Sequence, residues 1–189
     1  LTHLSKNSKI STLRRRLVSI SMVHRLKGHY LDTKHPIIVE NLMGIRRVKG
    51  SIQKGKKPIL INHLKLIINV INEQKTEEIK KLRDKSLILI GFGGGFRRTE
   101  LISIDHEDLE FVPEGLKITI KRSKTDQFGE GMTKGLPYFD NEIYCPVTNL
   151  KKWLEISKIK SGPIFRRFSK GLSLTDKRLT DQSVVLLMK

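Results

Sequence analysis

Apolar residues recur at helical spacing over the first fifty residues of the chain. The first run predicts a helix, which Ser11 or Thr12 can cap. Its inward positions are expected at Ile10, Leu13, Leu17 and Ile20. A second run begins at Pro36, since proline is favoured in the first helical turn, and closes at Gly50. Its inward positions are expected at Ile37, Ile38, Leu42 and Ile45. Two amphipathic helices are therefore predicted in this part of the chain.

Further along, the pattern changes from helical spacing to strict alternation and back. Pro58 introduces a helix, and Thr76 caps another that runs to a triple glycine. A short helix is predicted from Arg97 to Ile102. Strand-like stretches follow at Leu109–Val112, Leu116–Ile120 and Gly135–Tyr138, and two more helices at Pro146–Ser157 and Thr180–Met188.

The three strands are predicted to form one small antiparallel sheet, because their connections are too short for parallel crossovers. The predicted fold class is therefore mainly α with a three-stranded antiparallel β-insert. Trp153 is expected to anchor the core.

Charge divides the chain unevenly. The net charge of +18 suggests a polyanionic partner. Residues 1–57 carry 14 Lys and Arg against 2 acidic residues, a balance of +12, whereas the remainder carries 23 against 17, a balance of +6. The polar, glycine-containing stretch 50–57 falls at this change. We therefore expect a helical domain over 1–52, incomplete at its start, and a second domain over 58–189. A disordered basic tail is the alternative for the first part.

Composition narrows the class of protein. A single cysteine, Cys145, excludes an internal disulfide and fits a reducing compartment. The six histidines are never spaced with cysteine as metal ligands, so no metal site is expected. No apolar run approaches the roughly 20 residues of a membrane span. We expect a soluble, cytoplasmic protein without a membrane partner.

The segment GFGGGFRRTEL contains the strongest candidate for chemistry. Three glycines precede Arg97 and Arg98, and Glu100 follows three residues after Arg97. On a helix this spacing places Arg97 and Glu100 on one face. The glutamate can then hold the guanidinium while part of its fork points outward, as a phosphate ligand requires. A simple surface ion pair is the alternative.

At this point the order of motifs resembles the tyrosine recombinase (phage integrase) family, of the Xer-like kind. The early STLRRRL resembles its helical core-binding domain, and LRDKSLILIGFGGGFRRTELISIDHEDL resembles its first catalytic box. KRSKTDQFGEG resembles the β-hairpin that carries a catalytic lysine, and YCPVTNLKKWLE and GPIFRR resemble the helix and turn that follow. The resemblance implies a core-binding domain of the SAM-like type, followed by the first half of a catalytic domain.

Carried over residue by residue, the resemblance gives Arg97 and Lys124 the roles of catalytic residues and Glu100 a supporting role. Members of the family cut DNA through a tyrosine that forms a 3′-phosphotyrosyl link, and they need no metal or nucleotide cofactor. The implied partners are double-stranded DNA and other recombinase protomers. Phosphate contacts are expected from basic residues of the first domain, which otherwise form a solvated basic face, at Arg14, Arg15, Arg16, Arg46 and Arg47.

The sequence also departs from the family pattern. No His-x-x-Arg follows Lys124, and no tyrosine among Tyr30, Tyr138 and Tyr144 stands at the position of the nucleophile. The main hypothesis is therefore a recombinase truncated before the second catalytic box, which binds DNA in recombination or integration but is inactive alone. The alternatives are a non-catalytic accessory or regulator that occupies recombination sites, an unrelated RNA-binding protein, and a decaying gene product without a selected role.

Overall fold

The structure is a computed structural model that describes residues 1–50, 52, 55, 57–121 and 131–188. It divides into two compact units, Leu1–Pro58 and Ile59–Lys189. Helices dominate both units, and a three-stranded antiparallel sheet lies in the second. This confirms the predicted fold class. That the units are a core-binding and a catalytic domain stays a prediction.

The first unit consists of three helices. They are α1 (Thr2–Ser5), α2 (Ile10–Leu26) and α3 (Pro36–Lys49). Pro36 begins α3 and Gly50 ends it with φ +71°, a left-handed backbone that glycine adopts without strain. The prediction missed α1 and misplaced the cap of α2, whose N-cap is Lys9.

Few side chains are buried in the first unit. Leu13 of α2 and Ile45 of α3 are its buried apolar residues. Ile20 and Ile37, which were expected to face inward, are exposed instead. Three helices of this size offer too narrow an interior to cover the whole of each apolar stripe.

The second unit begins with three helices and a sheet. The helices are α4 (Ile61–Glu73), α5 (Glu78–Gly93) and α6 (Arg98–Ser103). The N-cap of α5 is Glu77, so the prediction of Thr76 was wrong by one residue. After a single 3-10 turn at His106–Asp108 come the strands β1 (Leu109–Val112), β2 (Gly115–Ile120) and β3 (Met132–Pro137). They pair in the order β1-β2-β3, both pairs antiparallel.

The remainder of the second unit adds a helix, a hairpin and a last helix. These are α7 (Pro146–Ser157), the strands β4 (Arg166–Phe168) and β5 (Leu174–Arg178), and α8 (Asp181–Leu187). The antiparallel hairpin of β4 and β5 was not predicted, because its strands are short and rich in charge. The limits of α7 are those predicted from the sequence.

One apolar core unites the second unit. Trp153 of α7 is fully buried at its centre, as predicted, and its indole N–H donates to the carbonyl of Ile164 at 2.8 Å. The inward face of β2 joins this core through Leu116 and Ile118, and Ile120 on the same face is also buried.

Helix α5 also buries an ion pair. Arg83 donates from Nε and Nη2 to Oδ1 of Asp84 at 2.8 and 2.6 Å, and both side chains are buried. Its Nη1 donates to the carbonyl of Arg166, and its guanidinium lies 4.8 Å from the ring centre of Phe168. Arg83 therefore fastens strand β4 onto α5.

Candidate active site

The glycine-rich segment forms the turn that delivers Arg97. Helix α5 ends in a Schellman motif, in which the N–H of Phe96 donates to the carbonyl of Gly91 and that of Gly95 to Phe92. Gly95 has the left-handed φ of +56° that this motif requires. At Gly94 a Cβ would stand 2.1 Å from the Phe96 ring, so only glycine lets that ring fold back there. The chain thus reverses sharply just before Arg97.

Arg97 is the N-cap of α6 rather than its first helical residue. Its backbone is extended, with φ −67° and ψ 150°, and the helix begins at Arg98. The prediction that Arg97 lies inside the helix was therefore wrong by one position. Its consequence holds nevertheless, because an N-cap and the third helical residue also face each other.

Glu100 binds Arg97 twice. Oε2 of Glu100 accepts the backbone N–H of Arg97 at 2.9 Å, and Oε1 accepts from the guanidinium Nη1 at 2.6 Å. The Glu100 side chain is 5% exposed and the Arg97 side chain 48% exposed. A carboxylate in the first turn also favours the positive end of the helix dipole. The buried glutamate thus fixes a guanidinium of which about half remains accessible.

Lys134 of β3 secures the turn from the other side. Its ammonium donates to the carbonyls of Gly94 at 2.7 Å and Gly95 at 3.3 Å, and lies 4.6 Å from the ring centre of Phe96. These carbonyls belong to the end of α5, where a cation is favoured. The β-sheet and the Arg97 turn are therefore tied together directly.

A second set of charges holds the opposite end of α6. Arg178 of β5 donates to the carbonyls of Ile102 at 2.6 Å and Ile104 at 3.4 Å, and its other nitrogen donates to Oδ1 of Asp105. These contacts satisfy carbonyls that the helix itself leaves unpaired. The hairpin of β4 and β5 is thereby attached to the helix that Arg97 begins.

The end of β2 is attached to the same place. The ammonium of Lys121 lies 2.8 Å from Oδ1 of Asp108 and 3.5 Å from Oδ2 of Asp105. The hydrogen bond to Asp108 raises the pKa of Lys121. Asp108 is buried, and its Oδ2 accepts the N–H of Asp105 at 2.9 Å. These carboxylates therefore fix Lys121, the last described residue before Lys124.

A cavity of about 370 Å³ lies between α6 and the end of β2. Glu100 lines it on one side and Lys121 on the other. Lys124 itself lies outside the described residues, as does the rest of 122–130. The structure thus places Lys121 near Glu100, and the role of Lys124 stays a prediction.

The five basic residues predicted to contact DNA all lie in the first unit and are exposed. Arg14, Arg15 and Arg16 lie on α2, and Arg46 and Arg47 lie in the last turn of α3. Basic residues at a helix end also favour the negative pole of its dipole. Their exposure is compatible with both predicted roles, phosphate contact and a solvated face.

The three tyrosines lie in other settings than the Arg97 turn. Tyr30 is exposed in the first unit, and Tyr144 donates from its hydroxyl to Asn69 of α4 at 3.4 Å. Tyr138 follows β3, and its hydroxyl accepts from the ammonium of Lys151. No contact between a tyrosine and Arg97 occurs within the described ranges.

Sequence reasoning missed four charged residues that organise this region. They are Lys134, Asp105, Asp108 and Arg178. The spacing of Asp105 and Asp108 is a signal that was available, since an acidic residue three positions after another commonly caps a helical turn. Lys134 and Arg178 gave no such signal, because their partners are backbone carbonyls distant in sequence.

The described residues offer neither a metal site nor a membrane-spanning helix. Within the described part of the chain, no cluster of three or more His, Cys, Asp or Glu residues is suited to hold a metal ion. Likewise, no described helix is both long and apolar enough to cross a membrane.

Comparisons with known proteins complete this description. No family model matches the chain. The integrase/recombinase XerD homolog of Selenomonas ruminantium is 40% identical over 192 residues, covering 100% of this chain and 55% of the relative. The chain thus spans about half the length of the curated relative it matches. The solved structure of the XerH site-specific recombinase, bound to difH substrate in a pre-cleavage complex, aligns with 93% of this chain and 50% of that one, at 19% identity and a TM-score of 0.45.

Proposed function

The chain belongs to the Xer-like tyrosine recombinases, and from this premise we propose that it binds double-stranded DNA in site-specific recombination. Arg97 contacts a backbone phosphate of the bound duplex in this proposal. The observation that carries it is the Arg97–Glu100 pair, in which a buried carboxylate orients a half-exposed guanidinium.

Arg97 is better suited to bind a phosphate than an unrestrained surface arginine is. A guanidinium can donate parallel hydrogen bonds to two oxygens of one phosphate. A long side chain loses conformational freedom when it binds a ligand, and Glu100 already restricts the freedom of the Arg97 side chain. Contact with phosphate therefore costs less here than at an unrestrained arginine. Non-bridging oxygens gain negative charge during phosphoryl transfer, and a fixed cation stabilises that charge.

Lys124 is the proposed partner of Arg97 at the phosphate. An ammonium close to the phosphate can protonate a leaving 5′ oxygen as general acid. The support is indirect: Lys121 lies three residues before it and shares a cavity with Glu100. Glu100 has the supporting role of orienting Arg97.

The first unit supplies further phosphate contacts in this proposal. Its basic residues are exposed and clustered in two helices, namely Arg14, Arg15, Arg16, Arg46 and Arg47. Such contacts position a protein on a duplex without reading its sequence. They are expected to make binding strongly dependent on salt.

A second candidate function is that of an accessory that occupies recombination sites without cutting them. The positions of the tyrosines favour it, since Tyr138 and Tyr144 have partners of their own and Tyr30 lies in the other unit. In this proposal the 189-residue chain binds DNA but forms no covalent link to it. Other recombinase protomers are its proposed protein partners.

Binding of labelled duplex DNA by matched variants tests the role of Arg97. Arg97→Gln removes the oriented guanidinium, and Arg98→Gln removes the same charge from the exposed neighbour. We expect Arg97→Gln to weaken binding by about tenfold or more, as for loss of a charged hydrogen bond. Arg98→Gln is expected to weaken it much less. Equal losses would refute a special role for Arg97, and stronger binding to structured RNA would favour an RNA-binding protein.

A nicked suicide duplex separates the two candidate functions. Such a substrate traps any covalent protein–DNA link, because the cut strand diffuses away before it can be rejoined. We expect no adduct with this chain alone. An adduct that survives denaturation, and whose peptide contains one of the three tyrosines, would show that the chain is a complete enzyme.

A further inference from the structure

We propose that the exposed face of the hairpin of β4 and β5 is a second contact with the phosphate backbone of duplex DNA. Nothing in the comparisons or in the motifs of the sequence assigns a role to this hairpin. The inference rests on the proposed function, because it adds a contact to a duplex that the chain must first bind.

Charge singles out this part of the second unit. Residues 158–178 contain seven Lys and Arg and a single acidic residue, Asp176, a balance of +6. The whole of 58–189 has the same balance, with 23 basic and 17 acidic residues. The positive excess of the second part of the chain is therefore equalled by this segment alone. A local excess of this kind is the electrostatic footprint expected for a nucleic-acid backbone.

Burial separates the hairpin into two faces. Phe168 of β4 pairs with Leu174 of β5, and both pack against the core of the unit. The register is irregular between Arg166 and Phe168, so the faces are assigned from exposure. Arg167 is exposed, and the face that carries it is therefore the outer one.

The arginines of the inner face form hydrogen bonds and ion pairs within the second unit. Arg166 donates to the carbonyls of Pro163 at 3.0 Å and Ser161 at 2.6 Å and pairs with Asp176. Arg178 is held by Asp105 and by the end of α6. These two arginines therefore attach the hairpin to the rest of the second unit.

The outer face presents cations that lack acidic partners. Arg167 and Lys177 lie on the strands, Lys170 lies in the turn between them, and all three are exposed. Within the ranges that the structure describes, none of the three forms an ion pair. The Nε of Arg167 donates to the carbonyl of Arg178 at 2.9 Å, which restrains its guanidinium. The three cations therefore add to the positive potential of this segment, which attracts a phosphate backbone.

The attachment to α6 sets the scale of the proposed contact. Arg178 binds the end of α6, and Arg97 lies at its beginning. A helix of six residues is about 9 Å long. Along a duplex this length corresponds to about three base-pair steps. The outer face is thus attached a few steps from the phosphate proposed for Arg97.

Two triple variants of the full chain test the inference. The first combines Arg167→Gln, Lys170→Gln and Lys177→Gln. The control combines Lys75→Gln, Lys117→Gln and Lys152→Gln, which removes the same charge from exposed sites of the same unit. Affinity for labelled duplex DNA is measured over a series of salt concentrations. Near-ultraviolet circular dichroism checks that each variant keeps its fold.

We expect the hairpin triple to lower the slope of log K against log salt by about 2 to 3, at about 0.9 for each phosphate contact. The loss should be the same for duplexes of different sequence, because backbone contacts carry no sequence information. The control triple is expected to change the slope much less. Equal changes in the two triples, with the parent chain binding normally, would overturn this inference alone. Failure of the parent chain to bind duplex DNA would overturn the proposed function, and this inference with it.

Discussion

Two arginine–carboxylate pairs of the second unit differ in burial, and the difference separates a structural arginine from a candidate functional one. In the Arg83–Asp84 pair both side chains are buried, and the guanidinium also contacts the carbonyl of Arg166 and the ring of Phe168. In the Arg97–Glu100 pair the carboxylate is buried, whereas the arginine is 48% exposed. The Arg83–Asp84 pair is thus enclosed in the interior, whereas the Arg97–Glu100 pair leaves its arginine partly exposed to solvent.

The comparison shows why a buried carboxylate alone is no mark of function. Asp84 and Glu100 are both buried, but they have different roles. Asp84 neutralises an arginine that the fold needs inside, and removal of either partner leaves an uncompensated charge. Glu100 caps a helix and orients an arginine that the fold does not need inside. Substitutions in the two pairs are therefore expected to differ in their effects on stability and on DNA affinity.

Arg83→Met is expected to lower the free energy of unfolding by about 3 to 5 kcal/mol, because it leaves Asp84 buried without its partner. Arg97→Gln should lower it by less than about 1 kcal/mol, because Arg97 is half exposed and its backbone N–H still donates to the buried Glu100. Urea unfolding followed by circular dichroism measures both. The double variant Arg83→Met, Asp84→Leu should recover most of the loss. Similar costs for the two single changes would remove the distinction between the pairs.

DNA affinity should show the opposite order. Arg97→Lys is expected to weaken duplex binding by about 1.5 to 3 kcal/mol, because an ammonium lacks the planar fork of a guanidinium. Arg83→Lys should leave affinity unchanged in the folded fraction, since Arg83 is buried. Fluorescence anisotropy with a labelled duplex gives both values. Full affinity in Arg97→Lys would show that only its charge matters.

Glu100→Ala is expected to cost about 0.5 to 2 kcal/mol of stability through loss of the cap on the Arg97 N–H. Glu100→Gln retains an acceptor for that N–H, so it should cost less. Both variants should weaken duplex binding, because both release the guanidinium from its charged partner. Unfolding and anisotropy measurements on the two variants separate the cap from the orienting role. If Glu100→Gln bound DNA as the parent does, Glu100 would act as a cap alone.

The smallest effect concerns pH. Burial raises the pKa of Asp84 above its ordinary value of 3.8, against the opposing influence of Arg83. The folded chain therefore binds the proton of Asp84 more tightly than the unfolded chain does. The resulting stability is fully present below the ordinary pKa and is lost as pH rises through the raised pKa of the folded state. The parent should accordingly lose stability relative to Asp84→Asn over that range, by at most about 1.4 kcal/mol per pH unit. Urea unfolding at several pH values measures the difference, and a constant difference would contradict the shift.

Elements with a strong hydrophobic periodicity, or with a proline that marks their start, could be predicted from the sequence. Pro146 begins α7 and Trp153 anchors it, because proline placement and a regular apolar face are local signals. The limits of β1 follow from alternation and the short turn after it. The hairpin of β4 and β5 was missed, because its strands are held by Arg83 and Arg178 through contacts distant in sequence.

The candidate site could be predicted in part for the same reason. The Arg97–Glu100 contact spans three residues, so spacing alone indicates it. The clamp by Lys134 could not be predicted, because it joins β3 to carbonyls forty residues earlier in the chain. Lys124 stays a prediction from the resemblance, since it lies outside the described residues.

A thermodynamic cycle on a duplex selected by this chain can detect the proposed contact between Arg97 and one phosphate. Single phosphates of that duplex are replaced in turn by neutral methylphosphonates, and the affinity of the parent and of Arg97→Gln is measured for each. At one phosphate the two changes should be strongly non-additive, because each removes the same interaction. Arg98→Gln should be additive at that phosphate. Additive losses for Arg97→Gln at every phosphate would contradict the account.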